Sequence, residues 1–237
     1  SHELRTPFAS AYNYVEILQM MTRSDGNGVI TEYADKSLNE LNELGKMLNQ
    51  VVEVSAILAD QLGLYIETFN IVGLMEDLLK SYQTTVRRRQ LVLVDRVTER
   101  IIMVDADKER LTQAIASVLD NSVNYTLTGG KIAVNMYTDD DDVYILIEDS
   151  GVGIDEDEHE RVFERLYRGR SSHAGPTDSR GLGLGLYIAQ QLIEAHNGEI
   201  SLVSQVGVGT HVTIRLPIVS NKKPRVESQP YVAATTD

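Results

Sequence analysis

Apolar side chains recur every seven residues through the second quarter of the chain, and few folds tolerate that rhythm. One series holds Ala34, Leu41, Leu48 and Leu62, with Ser55 as its polar member; the other holds Leu44, Val51 and Leu58. A long helix with one narrow apolar seam brings such residues together. Upstream, Leu4, Phe8, Ala11, Val15 and Leu18 repeat the alternating four-and-three spacing, and Asp25-Gly26-Asn27-Gly28 reads as the turn between the two stripes. The expectation is an antiparallel helical hairpin. A hairpin with one seam cannot bury it alone. Two hairpins forming a four-helix bundle can, which predicts a twofold homodimer.

Near Leu64–Asn70 the pattern changes, and a flexible joint is expected there. A helix over about 71–86 leads to the basic run Arg87-Arg88-Arg89, followed by strand-like Leu91–Val97 and Ile101–Val104. Asp105 or Asp107 can cap a helix over roughly 107–125. Two alternating runs, Lys131–Tyr137 and Val143–Glu148, flank the acidic turn Asp139–Asp142 and read as a hairpin. The reading continues with a helix over 156–166, a polar loop over 167–180, and a helix over Gly185–His196 closed by Asn197-Gly198. Strands over about 199–204 and 209–216 end at Pro217. Helices mixed with strands in no strict alternation predict an α+β sandwich with helices on one sheet face. The chain is therefore divided into a helical domain over 1–66, a sandwich domain over 67–218 and a polar tail over 219–237.

Bulk properties narrow the chemistry. No cysteine is present among the 237 residues, which excludes disulfides, thiolate zinc sites and cysteine nucleophiles, and suits a reducing, cytoplasmic setting. The formal charge of −13 argues against nucleic acid as a partner. No apolar run reaches the ~18 residues that would span a bilayer, so this stretch is expected to make no membrane contact. The opening Ser1-His2-Glu3 lacks an initiator Met and reads as the start of a fragment, with a sensor or membrane anchor expected upstream.

Three local patterns carry chemistry. On the first helix, His2 lies two residues before core-facing Leu4, about 200° round the helix, and should face water. Glu3 can hold one ring nitrogen, fixing the tautomer and raising the basicity of the other. Thr6 shares the face of His2, and Pro7 removes the amide that would bond the carbonyl of Glu3, bending the helix beside the histidine. Alone, this reads equally as a surface histidine in a kinked helix.

Further on, Asp149-Ser150-Gly151-Val152-Gly153 follows a strand, where a carboxylate can accept from an adenine amino group and glycines let backbone approach the base. Arg180-Gly181-Leu182-Gly183-Leu184-Gly185-Leu186 runs into a helix, whose amides and dipole favour phosphate. Neither the P-loop nor the dinucleotide fingerprint fits, and a flexible hinge is an equal reading of the glycines alone. On the helix over 107–125, Ser117, Asn121 and Asn124 share one face, and an amide oxygen can complete an octahedral Mg²⁺ shell.

Ser1-His2-Glu3-Leu4-Arg5-Thr6-Pro7 resembles the phosphoacceptor box of sensor histidine kinases. The succession of a polar helix, D-x-G-x-G, Phe163-Glu164-Arg165-Leu166-Tyr167-Arg168 and G-x-G-x-G resembles the nucleotide boxes of the same family, whose ATPase fold is shared with gyrase and the heat-shock chaperones. The resemblance spans nearly residues 1–217. It implies a kinase using ATP and Mg²⁺, with His2 as phosphoryl acceptor, Glu3 assisting, and Thr6 positioning water in the reverse, phosphatase reaction. It implies that Asp149, with Gly151, Gly153 and Ile154, meets adenine; that Asn121 meets Mg²⁺; and that Asn124 and Tyr125 lie beside the nucleotide. The segment Gly181, Leu182, Gly183, Leu184, Gly185 and Leu186 would hold phosphates. Residues 155–180 would form a lid, with Tyr167 as its anchor and Arg168, Arg170 or Arg180 reaching the phosphates. A response-regulator receiver domain is the implied partner. Ser117 and Asn124 depart from the family, which carries Asn and a basic residue there, and they favour the alternative of a catalytically weak, nucleotide-holding dimeric switch or scaffold. His159, His173, His196 and His211 show no metal-ligand spacing and no paired acidic partner; His196 is expected to cap its helix.

Overall fold

In a computed structural model, residues 12–21, 28–97, 100–170 and 182–219 are described. Helix α1 covers 12–21 and α2 runs for 31 residues, Gly28–Leu58. The described helices carry the seam as its spacing requires. Leu44, Val51 and Leu58 are 55%, 48% and 58% exposed, while Ile57, more than a quarter-turn round the helix from each of them, and its neighbour Val54 pack against the core that the later elements form. Glu53, 8% exposed, joins that contact through Arg110 Nη1 at 2.5 Å and the Gln113 side-chain amide.

After α2 come β1 (Glu67–Asn70), α3 (Ile71–Arg88), β2 (Val92–Arg96), β3 (Met103–Ala106) and α4 (Lys108–Tyr125). Strands β4 (Lys131–Thr138) and β5 (Asp142–Asp149) follow, then α5 (Gly185–Ala195), β6 (Glu199–Gln205) and β7 (Gly209–Pro217). Five strands form one sheet in the order β2-β4-β5-β7-β6, with β2 parallel to β4 and the other neighbours antiparallel. Strict alternation along β5 puts Val143, Ile145 and Ile147 inward, beside Val134 and Ile214, against Leu111, Ile115 and Leu119 of α4 and Leu192 of α5. The opposite sheet face carries Tyr137 stacked on Tyr144, ring centroids 4.8 Å apart. This is the expected α+β sandwich behind a helical segment.

Four local expectations change. The joint near 64–70 is partly a strand: β1 pairs antiparallel with β3 in its own two-stranded sheet, and Tyr65 N–H donates to Asp107 Oδ2 at 2.9 Å. A four-residue strand with a distant partner leaves too little local pattern to be seen. The strand over 101–104 starts two residues later than expected, because Ile102 N–H is drawn to Asn70 Oδ1, the cap of α3. Residues 156–166 form two short 3₁₀ turns, Glu156–Glu158 and Arg161–Phe163, rather than an α-helix, held by Glu158 inside. Finally, His211 does have an acidic neighbour: Glu148 Oε1 lies 3.6 Å from its Nδ1 across the β5–β7 register.

The α4 cap is Asp107, whose Oδ1 accepts from Arg110 N–H at 3.0 Å, while Asp105 accepts from Thr68 instead. His196 does more than cap. It is buried, its Nε2 accepts from Asp107 N–H at 2.9 Å and its Nδ1 lies 2.6 Å from the Leu192 carbonyl, a pairing that fits the neutral Nδ1–H tautomer. One imidazole thereby ties the end of α5 to the start of α4. Among the described residues no helix is long and apolar enough to cross a membrane.

Candidate nucleotide site

Between α4, α5, the sheet edge and α2 lies a cavity of about 960 Å³. One end is built on β5, whose last residue is Asp149. Its Oδ1 accepts from Gly151 N–H at 2.9 Å and Thr210 N–H at 3.3 Å, and its Oδ2 accepts from Ser122 Oγ–H at 3.1 Å. A carboxylate offers about four acceptor sites, so these three donors orient it and leave capacity for a ligand N–H. Burial pushes the carboxyl above its usual range, against the opposing pull of those donors and of His211. Gly153 lines the same end with φ +73°, and a Cβ there would stand 2.0 Å from the Gln205 carbonyl oxygen. Gly151 does not line the cavity: a Cβ on it would meet the Tyr125 carbonyl and Asp149 itself. These glycines are therefore required by the chain's own close packing, not by room for a base.

The other end is made by helix starts and polar faces. Helix α5 begins after Leu184 without a side-chain cap, so its first amides point outward unsatisfied by the helix. Gly183 takes φ +68°, with the Tyr167 carbonyl oxygen 2.4 Å from where a Cβ would sit. Ser117 Oγ would lie 2.8 Å from a Cβ on Gly185, so α4 abuts the glycine run directly. Asn121, Asn124 and Tyr125 carry the α4 wall from Ser117 back toward Asp149, where the Tyr125 carbonyl accepts from Val152 N–H at 3.1 Å, and Asn124 Oδ1 accepts from Arg89 Nη2 at 3.1 Å. Ile154, Tyr167, Arg168, Leu182, Gly183, Leu184, Gly185 and Leu186 complete the expected lining among the described residues. His2, Glu3, Thr6, Arg180 and Gly181 lie outside them.

The base of the lid is an ionic knot. Glu158, 1% exposed, accepts from the Tyr167 hydroxyl and from Arg170 N–H at 3.1 Å. Burial would raise its pKa, but the Tyr167 and Arg170 contacts outweigh it and hold the carboxyl below the usual range. Arg170 is committed to Asp157 at 2.5 Å, with Glu158 and Asp155 beyond it, so it is a strut and not a phosphate ligand. Tyr167 stays an anchor: Arg161 sits over its ring at 4.4 Å.

Several lining residues escaped sequence reading. Ser122 and Thr210 orient Asp149, Thr85 and Arg89 arrive from α3 and its C-terminal end, and Met47 and Gln50 from α2. Arg89 sat in a visible basic run, but nothing local tied it to α4. No cluster of three or more acidic or histidine side chains suited to a metal occurs among the described residues. Asn121, a neutral oxygen donor on the wall opposite the α5 amides, fits a cation whose remaining ligands are phosphates and water.

Comparison with known proteins gives the same picture. Residues 1–59 match the His Kinase A phospho-acceptor domain, and residues 106–220 match the histidine kinase-, DNA gyrase B- and HSP90-like ATPase family. The sensor histidine kinase WalK of Bacillus subtilis is 27% identical over 219 residues, covering 92% of this chain and 35% of WalK. The chain thus spans about a third of the length of that relative. Full-length ShkA, crystallised with AMPPNP, superposes with a TM-score of 0.75 at 21% identity, covering 92% of this chain and 44% of ShkA. ThkA, in a complex with response regulator protein TrrA, gives 0.63 at 20% identity, covering 94% of this chain and 60% of the other. At those identities the two structures establish the fold alone. With a phospho-acceptor segment at one end and an ATPase segment at the other, the chain belongs to the sensor histidine kinase family.

Proposed function

We propose that this chain is an ATP-dependent protein-histidine kinase core that phosphorylates its own His2. The observation that carries the reading is the Asp149 carboxylate, held by three donors at one end of a cavity whose far end presents uncapped α5 amides. Adenine has an amino group for the first and ATP has phosphates for the second, and the 960 Å³ between them is ample for a nucleotide. Mg²⁺, held by Asn121 and the phosphates, would offset negative charge as the phosphoryl group leaves.

The neutral His2 ring attacks the γ-phosphorus with a nitrogen lone pair. A P–N bond forms, the bond to the β-phosphate oxygen breaks, and ADP departs with that electron pair. Glu3 stabilises the positive charge gained by the ring and takes up its other N–H proton or passes it to water. Asp149 orients the base, and the α5 amides hold phosphate oxygens in line. For transfer, the sandwich must reach the first helix. Tyr65 is pinned to Asp107, so a swing is confined to residues ahead of it and must release Glu53 from Arg110.

A receiver-domain aspartate is the onward acceptor in this reading, supported by the partner named for ThkA, and the protein acts as a homodimer through the exposed seam of α2. Thr6 serves the reverse, phosphatase reaction. Ser117 and Asn124 favour a second reading, a dimeric switch that holds nucleotide without transferring phosphate. One experiment separates them. With γ-labelled ATP and Mg²⁺, acid-labile, base-stable label in the native chain and none in His2→Ala supports the kinase. Nucleotide binding with no label in either supports the switch.

A further inference from the structure

Helix α2 walls the cavity across from α4, and Glu53 fixes the register between them. Its carboxylate holds Arg110 and Gln113 in the first two turns of α4. One turn back along α2 stands Gln50, one turn on along α4 stands Ser117, and both line the cavity. The two helices therefore run antiparallel with the cavity between them, and Gln50 faces Ser117 across it. Ser117 in turn abuts Gly185, where the uncapped α5 amides begin, so Gln50 stands at their end of the cavity and not at that of Asp149. Gln50 is half-buried, and among the described residues nothing bonds its amide; the same holds for the side chains of Ser117 and Asn121. A half-buried amide with all four of its hydrogen-bonding positions open is a place for a ligand. The other α2 residues on this wall offer less: Leu44 and Met47 are apolar, and Lys46 is exposed with an interaction of its own.

We propose that the Gln50 amide donates to the nucleotide's phosphates beyond the first, so that α2 completes the nucleotide site and a bound nucleotide holds α2 on the sandwich. The inference rests on the proposed nucleotide function. With the base at Asp149, the phosphates run toward the α5 amides, and those farthest from the base come under Gln50. An N–H donated to a charged phosphate oxygen is worth more than one between neutral groups, so a single amide makes a measurable difference. A nucleoside monophosphate ends short of it. The benefit runs both ways: whatever Gln50 adds to affinity, the nucleotide returns as firmer docking of α2 beside the Glu53–Arg110 contact. The swing toward the first helix then gives up both contacts together.

Two measurements on the full chain, each with Mg²⁺, test this. Calorimetric titration of Gln50→Ala should give an ADP affinity about tenfold below native and an AMP affinity within about twofold of it. Limited proteolysis between residues 59 and 64 reads the docking of α2. Saturating ADP should slow cleavage of the native chain by about tenfold and AMP by about twofold or less, and in Gln50→Ala ADP should protect no better than AMP. Equal loss of affinity for both nucleotides, an unchanged ADP affinity, or ADP that fails to protect the native chain overturns the proposal while leaving the nucleotide reading standing. A native chain that binds neither nucleotide overturns both. Protection of the native chain needs no substitution, so it decides the question should Gln50→Ala not fold.

Discussion

The helix α2 and the sandwich behind it solve burial in opposite ways. The sandwich encloses its own apolar residues: Ile145, Ile147, Leu111, Ile115, Leu192 and Ile214 have no exposed surface. Among the described side chains of α2, Ala34 is the buried apolar one, and Leu44, Val51 and Leu58 stand about half exposed. A two-layer fold closes a core from within one chain, whereas a single-seam helix must borrow its other half. The sandwich thus carries the carboxylate and amides that face the cavity, while the helix adds part of its wall.

The largest effect should come from striking the core that the helix lacks. Ile145→Ala should cost about 2–5 kcal/mol in thermal or denaturant unfolding of the sandwich, whereas Val51→Ala should leave that transition nearly unmoved. A matching loss from Val51→Ala would erase the contrast. Asp149→Ala should weaken ATP binding about a hundredfold by calorimetry without altering the sedimentation of the chain, since Asp149 lies in the sandwich, away from the exposed seam of α2. Val51→Glu should do the reverse, shifting sedimentation from dimer toward monomer and leaving ADP affinity within about twofold.

Glu53→Gln probes where the two regions meet. It removes the charge that Arg110 and Gln113 share, and should weaken the contact by about 1–2 kcal/mol, read as faster proteolysis between residues 59 and 64 with unchanged melting of the sandwich. The smallest effect is a pH dependence. Burial raises the Asp149 pKa, so its ionised form is disfavoured in the fold, and its contribution to stability falls as pH rises from the unfolded value through the folded one. Adenine binding has the opposite sign because it needs the carboxylate. Affinity should decline on acidification at a pH above that of an exposed aspartate, and Asp149→Asn should flatten this dependence.

Local features were readable from the chain. The alternation of β4 and β5 exposed the hairpin, the caps Asp107 and Asn197-Gly198 bracketed helices, and seven-residue spacing marked α2. Each depends on neighbours within one or two turns. What failed was non-local or sparse: β1 pairs with a strand more than thirty residues later, and the segment 156–166 is arranged around one buried carboxylate rather than an apolar stripe. The site divides the same way. Asp149, Asn121 and the glycine run announced themselves as motifs, but their partners did not.

The amino-acid order by itself determined the longer helices, the β4–β5 hairpin, the seam and the residues with chemical potential, because periodicity, capping and glycine conformation act over a few residues. Only the tertiary structure decided that Thr210 and Ser122 orient Asp149, that Arg89 reaches Asn124, and that Glu53 lies under Arg110. Those contacts join residues 27 to 61 positions apart, a separation at which a side chain's partner is chosen by how layers pack and not by what stands next to it in the chain.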